Sequence, residues 1–321
     1  MIVITGAAGF IGSCLAGHFA HLGLEDLVLV DDFGRADKAP NLEGKPFALK
    51  IHRDIFPAWF ALNAQEVHFV FHIGARTDTT AQDRAIFDRL NYAYSIALWD
   101  VCAKHGIPFI YASSAATYGD GSLGFEDRNE LTGSLRPLNP YARSKNDFDH
   151  YALHSPSAPP YFVGLKFFNV YGPNEYHKGR MASVIFHTYH QIRRTGAMQL
   201  FRSHRPDFAD GQQSRDFVYV KDVLRVCQFL YDNRVPNGLY NLGTGKARSF
   251  YDLAANTFLA MGLQPNISYI DMPEDIRDTY QYFTQAEMRK LHGAGYGHDF
   301  HSLEAGIADY VGNYLLLEQY F

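Results

Sequence analysis

At 321 residues, and with about 150 residues per domain as the usual allotment, the chain is long enough for one large α/β domain and a smaller lobe. A formal net charge of −5 excludes the basic stripe of a nucleic-acid binder, and three scattered cysteines (Cys14, Cys102 and Cys227) without CxxC spacing exclude a disulfide framework. No apolar run approaches the ~20 residues that span a bilayer, and the chain opens on a strand pattern rather than a signal peptide, so a soluble cytoplasmic protein without a membrane partner is expected.

In chain order, Ile2–Thr5, Leu27–Val30, Val67–Ile73, Pro108–Ala112 and Tyr161–Phe168 are short runs rich in Val, Ile, Leu and Phe. Near-continuous apolarity fits strands buried on both faces. Helix-length segments lie between them, including Phe10–Leu22, Ala81–His105 and Tyr141–His154. The alternation predicts an α/β fold with a doubly wound parallel sheet. After Asn169, Pro173, Gly179, Pro206 and Gly211 break the pattern into shorter pieces. The expected division is a dinucleotide-binding domain of residues 1–168, with 216–241 and about 299–321 returning to it. Residues 169–215 and 242–298 form a smaller C-terminal α/β substrate lobe, and a last helix is expected around Leu303–Tyr320.

The first strand leads into Thr5-Gly6-Ala7-Ala8-Gly9-Phe10-Ile11-Gly12, which opens the first helix. Glycines at 6, 9 and 12 allow a tight turn, a close approach of backbone to a pyrophosphate, and close packing of helix on strand, the signature of a Rossmann dinucleotide site. Asp31 ends the second strand where a ribose hydroxyl would sit. Asp31 and Asp32 repel a 2′-phosphate and favour NAD, whereas Arg35 and Lys38 are placed to hold that phosphate and favour NADP. Asp54, at the end of the third strand, is either an acceptor for the adenine amino group or a turn residue. His72-Ile73-Gly74-Ala75-Arg76 closes the fourth strand at the sheet edge where a dinucleotide lies, and Gly74 and Ala75 are small enough to let it approach.

Tyr141 and Lys145, four apart just after Pro140, share one helix face. A phenol with a pKa of about 10 is a poor base near neutrality. A neighbouring ammonium favours its phenolate, so the pair can exchange a proton with a substrate hydroxyl. Ser114 follows the fifth strand without a G-x-S-x-G elbow, which argues against a nucleophilic hydrolase. His150 and His154 have HxxxH spacing without a third ligand, so no metal site is expected.

Together, the TGxxGxxG loop, the strand-end serine and the YxxxK pair resemble the extended short-chain dehydrogenase/reductase family over essentially the whole chain. Its members include epimerases, dehydratases and dehydrogenases of nucleotide sugars. The resemblance implies Ser114 as the hydroxyl that orients the reacting oxygen, Tyr141 as acid/base, Lys145 as its partner on the cofactor ribose, and Asn91 and Val170 on the cofactor side. Asn169–Pro173 and Asn241–Gly245 are shared widely in the family. His177-Lys178-Gly179 and Tyr280–Ala286 are more particular and resemble its heptose-nucleotide epimerases, which implies inversion at carbon six through a transient carbonyl. Lys178 is then a second acid/base, or a phosphate or cofactor contact. Asn169, Arg180, His187, Phe201, Arg202, Arg215 and Tyr280 fall at substrate positions, with Arg215 suited to a diphosphate. Arg180 departs from the family pattern, as does the long polar loop 202–214. Ala115 and Ala116 replace the acidic pair of the dehydratases and disfavour loss of water. Another nucleotide-sugar epimerase or reductase, or a non-catalytic dinucleotide sensor, are the alternatives. A nucleotide sugar as small-molecule partner, NADP (or NAD) as cofactor, and a homo-oligomer complete the expectation.

Overall fold

The computed structural model describes residues 1–277 and 280–321. Among the described residues twelve strands run in chain order: β1 Ile2–Thr5, β2 Leu27–Asp31, β3 Leu49–His52, β4 Phe69–His72, β5 Phe109–Ser114, β6 Phe162–Phe167, β7 Asn169–Tyr171, β8 Met198–Phe201, β9 Ser214–Tyr219, β10 Gly238–Leu242, β11 Ala247–Ser249 and β12 Ile267–Ile270. Seven form one sheet in the order β10-β6-β5-β4-β1-β2-β3, and every neighbouring pair is parallel. The predicted doubly wound Rossmann sheet is therefore present. β1 (IVIT) and β4 (FVFH) are buried along their whole length, as strands covered on both faces must be. One face is filled by residues such as Phe19, Phe71 and Val223, the other by Trp99, Phe56 and Phe60.

The strand order reverses between β1 and β4, which opens a crevice at the carboxyl ends of those strands. Two smaller sheets complete the described strands: β7 parallel to β9, β11 antiparallel to β9, and β8 parallel to β12. β10 returns to the edge of the large sheet beside β6.

Local chemistry explains the helices at the site. Asn139 caps the helix Pro140–His154 by accepting from the Ala142 amide at 2.8 Å, and Pro140 opens it with a pre-set φ. The expected helix at 81–105 starts at Arg84 after the Asp83 cap and contains a wide turn at Asp88–Ala93. That turn directs Asn91 inward. The C-terminal helix is shorter than expected: Leu303–Tyr310 passes into a wide turn, Val311–Leu315. Phe321 then bonds back to Asn174, its amide donating to Oδ1 at 2.8 Å. Among the described residues no helix is long and apolar enough to cross a membrane.

Candidate active site

The glycine loop closes on the strand-order reversal. Gly6 takes φ +67°, open to glycine at little cost, and a Cβ there would stand 2.6 Å from Cα of Gly74. Gly74 thus belongs to the site because the β1 and β4 loops touch backbone to backbone. The first helix, Phe10–His21, has no side-chain cap and no acidic residue in its first turn. Its amides and positive dipole end are left for an anion, which is what a pyrophosphate requires.

Asp31, expected at a ribose hydroxyl, ends β2. It is 5% exposed, and its Oδ2 accepts from the Ala8 amide at 2.9 Å. Its Oδ1 accepts from the Asp32 amide at 2.7 Å and pairs with Lys38 Nζ at 3.0 Å. The carboxylate holds the glycine loop in place. Asp32 pairs with Arg53 at 3.3 Å, and Asp54, exposed and two residues past the end of β3, lies between Arg53 and His52. Arg35 is paired with Asp37 and donates to the His177 carbonyl at 3.3 Å.

His72 is a correction. Its Nδ1 meets Thr5 Oγ1 at 2.7 Å and its Nε2 meets Ser95 Oγ at 2.9 Å. Burial, helped by Lys145, holds its pKa down at about 3, so it is a neutral interior ring that presents nothing to a cofactor. β4 is covered on both faces, so this side chain is interior whichever face it takes, and the loop after it carries Gly74, Ala75 and Arg76. Asn91 grips that loop: Oδ1 accepts from the Arg76 amide at 2.8 Å, while Nδ2 donates to the Arg76 carbonyl and to Ser144 Oγ, both at 3.0 Å.

Ser114 ends β5 beside β6, and its Oγ accepts from the Ala116 amide at 3.1 Å. Tyr141 opens the adjacent helix. Burial pushes its phenol up, while the nearby Ser114 hydroxyl pulls it down. Lys145 is 4% exposed and donates to the Ala112 carbonyl at 2.8 Å; burial lowers it from 10.5 to about 8. The structure thus brings together the three groups that the sequence separates by 27 and 4 positions.

Lys178 lies across the glycine loop, its ammonium 5.3 Å from the Phe10 ring centre. Desolvation lowers its pKa; Glu175 pulls the other way, although its carboxylate is already engaged by Ser183 and Tyr310. Val170, on β7 next to exposed Asn169, follows the end of β6. Arg215 is buried on β9 with its charge 5.3 Å from the Tyr280 ring and 5.6 Å from Phe250, and it bonds carbonyls of Ser214 and Gln281. Burial pushes its pKa down, while Tyr280 pulls the other way. Phe201 packs edge-on to Tyr280 at 6.4 Å.

Three expected substrate residues are not gathered into this cluster. Arg180 is mostly exposed and pairs with Asp78 at 3.4 Å and with Thr80. Arg202 pairs with Asp271 at 3.4 Å and Asp210 at 3.9 Å. His187 is exposed, its Nε2 3.3 Å from the Arg180 carbonyl. Each has a nearby partner that draws it outward. His150 and His154 face each other on the surface, Nδ1 to Nδ1 at 3.1 Å, and the described residues hold no group of three metal-ligating side chains. Sequence reasoning missed Arg53, whose signal was its place beside Asp54, and it missed the buried Asp149, Lys166 and Glu175, which carried no motif.

A family model described as the NAD dependent epimerase/dehydratase family matches residues 2–243. The chain belongs to that family. Within the epimerase/dehydratase family it is 45% identical over 328 aligned residues to ADP-L-glycero-D-manno-heptose-6-epimerase of Fusobacterium nucleatum, covering 99% of each chain. It is 47% identical over 318 residues to the protein of the same name from Nitratidesulfovibrio vulgaris, covering 98% of each. Among solved structures it resembles the Helicobacter pylori ADP-L-glycero-D-manno-heptose-6-epimerase, with TM-score 0.79, 30% identity and coverage of 97% of this chain and 95% of that one. It also resembles the Thermus thermophilus UDP-glucose 4-epimerase in complex with NAD, with TM-score 0.74, 25% identity and 97% coverage of both.

Proposed function

We propose that the protein is a nucleotide-sugar epimerase that inverts carbon six of ADP-glycero-manno-heptose, with NADP as its resident cofactor. The reading is carried by two candidate proton-transfer groups: Tyr141, at the start of the helix that bears Lys145, and Lys178, whose ammonium lies 5.3 Å from the ring of Phe10 at the start of the glycine-loop helix. The full-length likeness to named heptose epimerases supports the choice of sugar.

When bound, the cofactor supplies a site that accepts a hydride and returns it. The protein's residues do the rest. The uncapped amides of the first helix hold the pyrophosphate, and Lys38 with Arg53 and Arg35 surround the ribose end, where exchange of their carboxylate partners for a 2′-phosphate favours NADP. Arg215 grips the substrate diphosphate between the Tyr280 and Phe250 rings. Ser114 orients the carbon-six oxygen, and Tyr141 takes its proton as the hydride leaves. The transient sugar carbonyl turns over in the crevice, and Lys178 returns a proton to the oxygen in the second orientation. In this reading the seven-stranded sheet and its helices carry the cofactor, and residues 169–215 with 242–298 carry the sugar. A cytoplasmic home suits three buried free cysteines, and a homo-oligomer is proposed, to be checked by sedimentation.

Purified protein incubated with ADP-D-glycero-D-manno-heptose should yield a mixture of carbon-six epimers by NMR without added reductant. Retention of the starting configuration, with equal turnover of a UDP-hexose, would replace this substrate with another.

A further inference from the structure

A buried ion pair lies beside the proposed reaction site and has no part in the steps above. Asp149 stands four residues beyond Lys145 and eight beyond Tyr141, on the same helix face. It is 0% exposed, and Lys166 on β6, 1% exposed, meets its Oδ2 at 2.7 Å. The same carboxylate accepts from Tyr111 Oη at 3.0 Å and Ser113 Oγ at 2.7 Å, both on β5. Lys166 also donates to Thr117 Oγ1 at 2.7 Å, and Thr117 donates to the Ser114 carbonyl at 2.8 Å. A continuous hydrogen-bonded path therefore runs from the Tyr141–Lys145 helix to both flanks of Ser114. Burying such a pair costs several kcal/mol in desolvation, and packed apolar residues of equal volume serve stability as well or better. Stability alone does not account for it.

We infer that Asp149, backed by Lys166, is a positioning residue for the reaction: it locks the Ser114 turn against the Tyr141–Lys145 helix and sets its carboxylate beside Lys145. The inference rests on the roles proposed for Tyr141 and Lys145, and is independent of which sugar is bound. The groups facing Asp149 are Lys145 from its own helix, Tyr111 and Ser113 from β5, Lys166 from β6, and Tyr118 from the turn after β5, whose ring lies 5.1 Å from the Lys166 ammonium. Its charge favours the ammonium of Lys145 and opposes the phenolates of Tyr141, Tyr111 and Tyr118. Lys145 also faces His72, which stays neutral. Asp149 therefore keeps Lys145 charged while restraining Tyr141 from ionising until substrate and cofactor are in place.

The test uses cofactor-loaded protein without sugar. Phenolate absorbance in the near ultraviolet is titrated in the wild type and in Tyr141→Phe, and the difference isolates the coupled Tyr141–Lys145 pair. Asp149→Asn should move this difference titration to lower pH by about half a pH unit or more, because both groups lose the anion that favours their protonated forms. Lys166→Met should not follow it. Either single change leaves a buried charge unpaired, so the charge-balanced Asp149→Asn/Lys166→Met variant is included. It should fold, judged by near-ultraviolet circular dichroism, and still shift downward, because Asp149 shares the helix with the pair. An unmoved titration in the Asp149→Asn and double variants, or an equal downward shift in Lys166→Met, reduces the ion pair to packing and overturns the inference. An intact titration response in a protein inactive on ADP-heptose would overturn the sugar assignment alone.

Discussion

Gly9 and Gly12, three residues apart in one loop, should separate cofactor binding from stability. Gly9 has φ −77° and ψ −178°, a backbone open to any residue, and a Cβ there meets only the Gly6 carbonyl oxygen at 3.1 Å. Gly9→Val should cost about 1 kcal/mol of stability, because that one contact is tight and the Gly6 carbonyl must give slightly, less than at Gly12. Its methyls, however, stand where a pyrophosphate must approach the uncapped helix. Loss of two charge-assisted hydrogen bonds at about 1.5–2 kcal/mol each gives about 3–4 kcal/mol, or roughly 150–1,000-fold in Kd. At Gly12 a Cβ would run into the carbonyl of Gly6 and lie 3.1 Å from Cα of Ala7, all backbone. Gly12→Ala must shift the loop itself, an overpacking cost of about 2–3 kcal/mol, or about 3–5 °C in a chain of this length. Calorimetric titration with NADP and thermal unfolding of the apoprotein distinguish the two. Wild-type affinity in Gly9→Val, or equal loss of stability in both variants, would refute the placement of the phosphates.

Tyr141→Phe and Lys178→Met should each keep fold and cofactor yet lose epimerisation by about 100-fold or more, the scale of general acid/base catalysis. Each should still exchange hydride preferentially with one epimer of a carbon-six aldehyde analogue, and near wild-type turnover in Lys178→Met would make that lysine a binding residue. Lys38→Ala with Arg53→Ala should weaken NADP by roughly 1–3 kcal/mol per lost contact and leave NAD little changed in equilibrium binding; an equal effect on both would mean that the two cations only shape the loop. Lys145 is lowered from 10.5 to about 8 in the folded protein, so its burial opposes folding fully below pH 8 and ceases to do so as pH rises through 10.5. Lys145→Met should therefore raise the apoprotein Tm near neutrality, with an advantage over wild type that shrinks between those pH values. A constant difference across that window would mean that burial does not depress this lysine.

Much of the cofactor half was legible in the chain. Continuous apolar runs identified β1, β2, β4, β5 and β6 to within a residue or two at most ends, since strands buried on both faces tolerate little else. Glycine spacing located the turn after β1, because at Gly6 and Gly12 only residues without Cβ fit where backbone meets backbone. What stayed hidden was side-chain direction. His72 reads as a site residue by position, but it ends a strand covered on both faces and its two ring nitrogens are taken by Thr5 and Ser95. Arg180 and Arg202 read as anion contacts by type, and neighbouring carboxylates hold them outward.

The sequence alone determined the fold class and the chemical groups: a dinucleotide turn, a tyrosine–lysine pair and a strand-end serine, each encoded by spacing along a single element. Only the tertiary structure decided which charges are paired and which stand ready. Asp31 is consumed by Ala8, Asp32 and Lys38, Arg215 is buried between aromatic rings, and Asp149 with Lys166 closes a path across three elements. Periodicity records what lies on one face of one helix or strand. Desolvation and ion pairing depend on what the rest of the chain brings against that face, and this is where the protonation states of Tyr141, Lys145 and Lys178 are set.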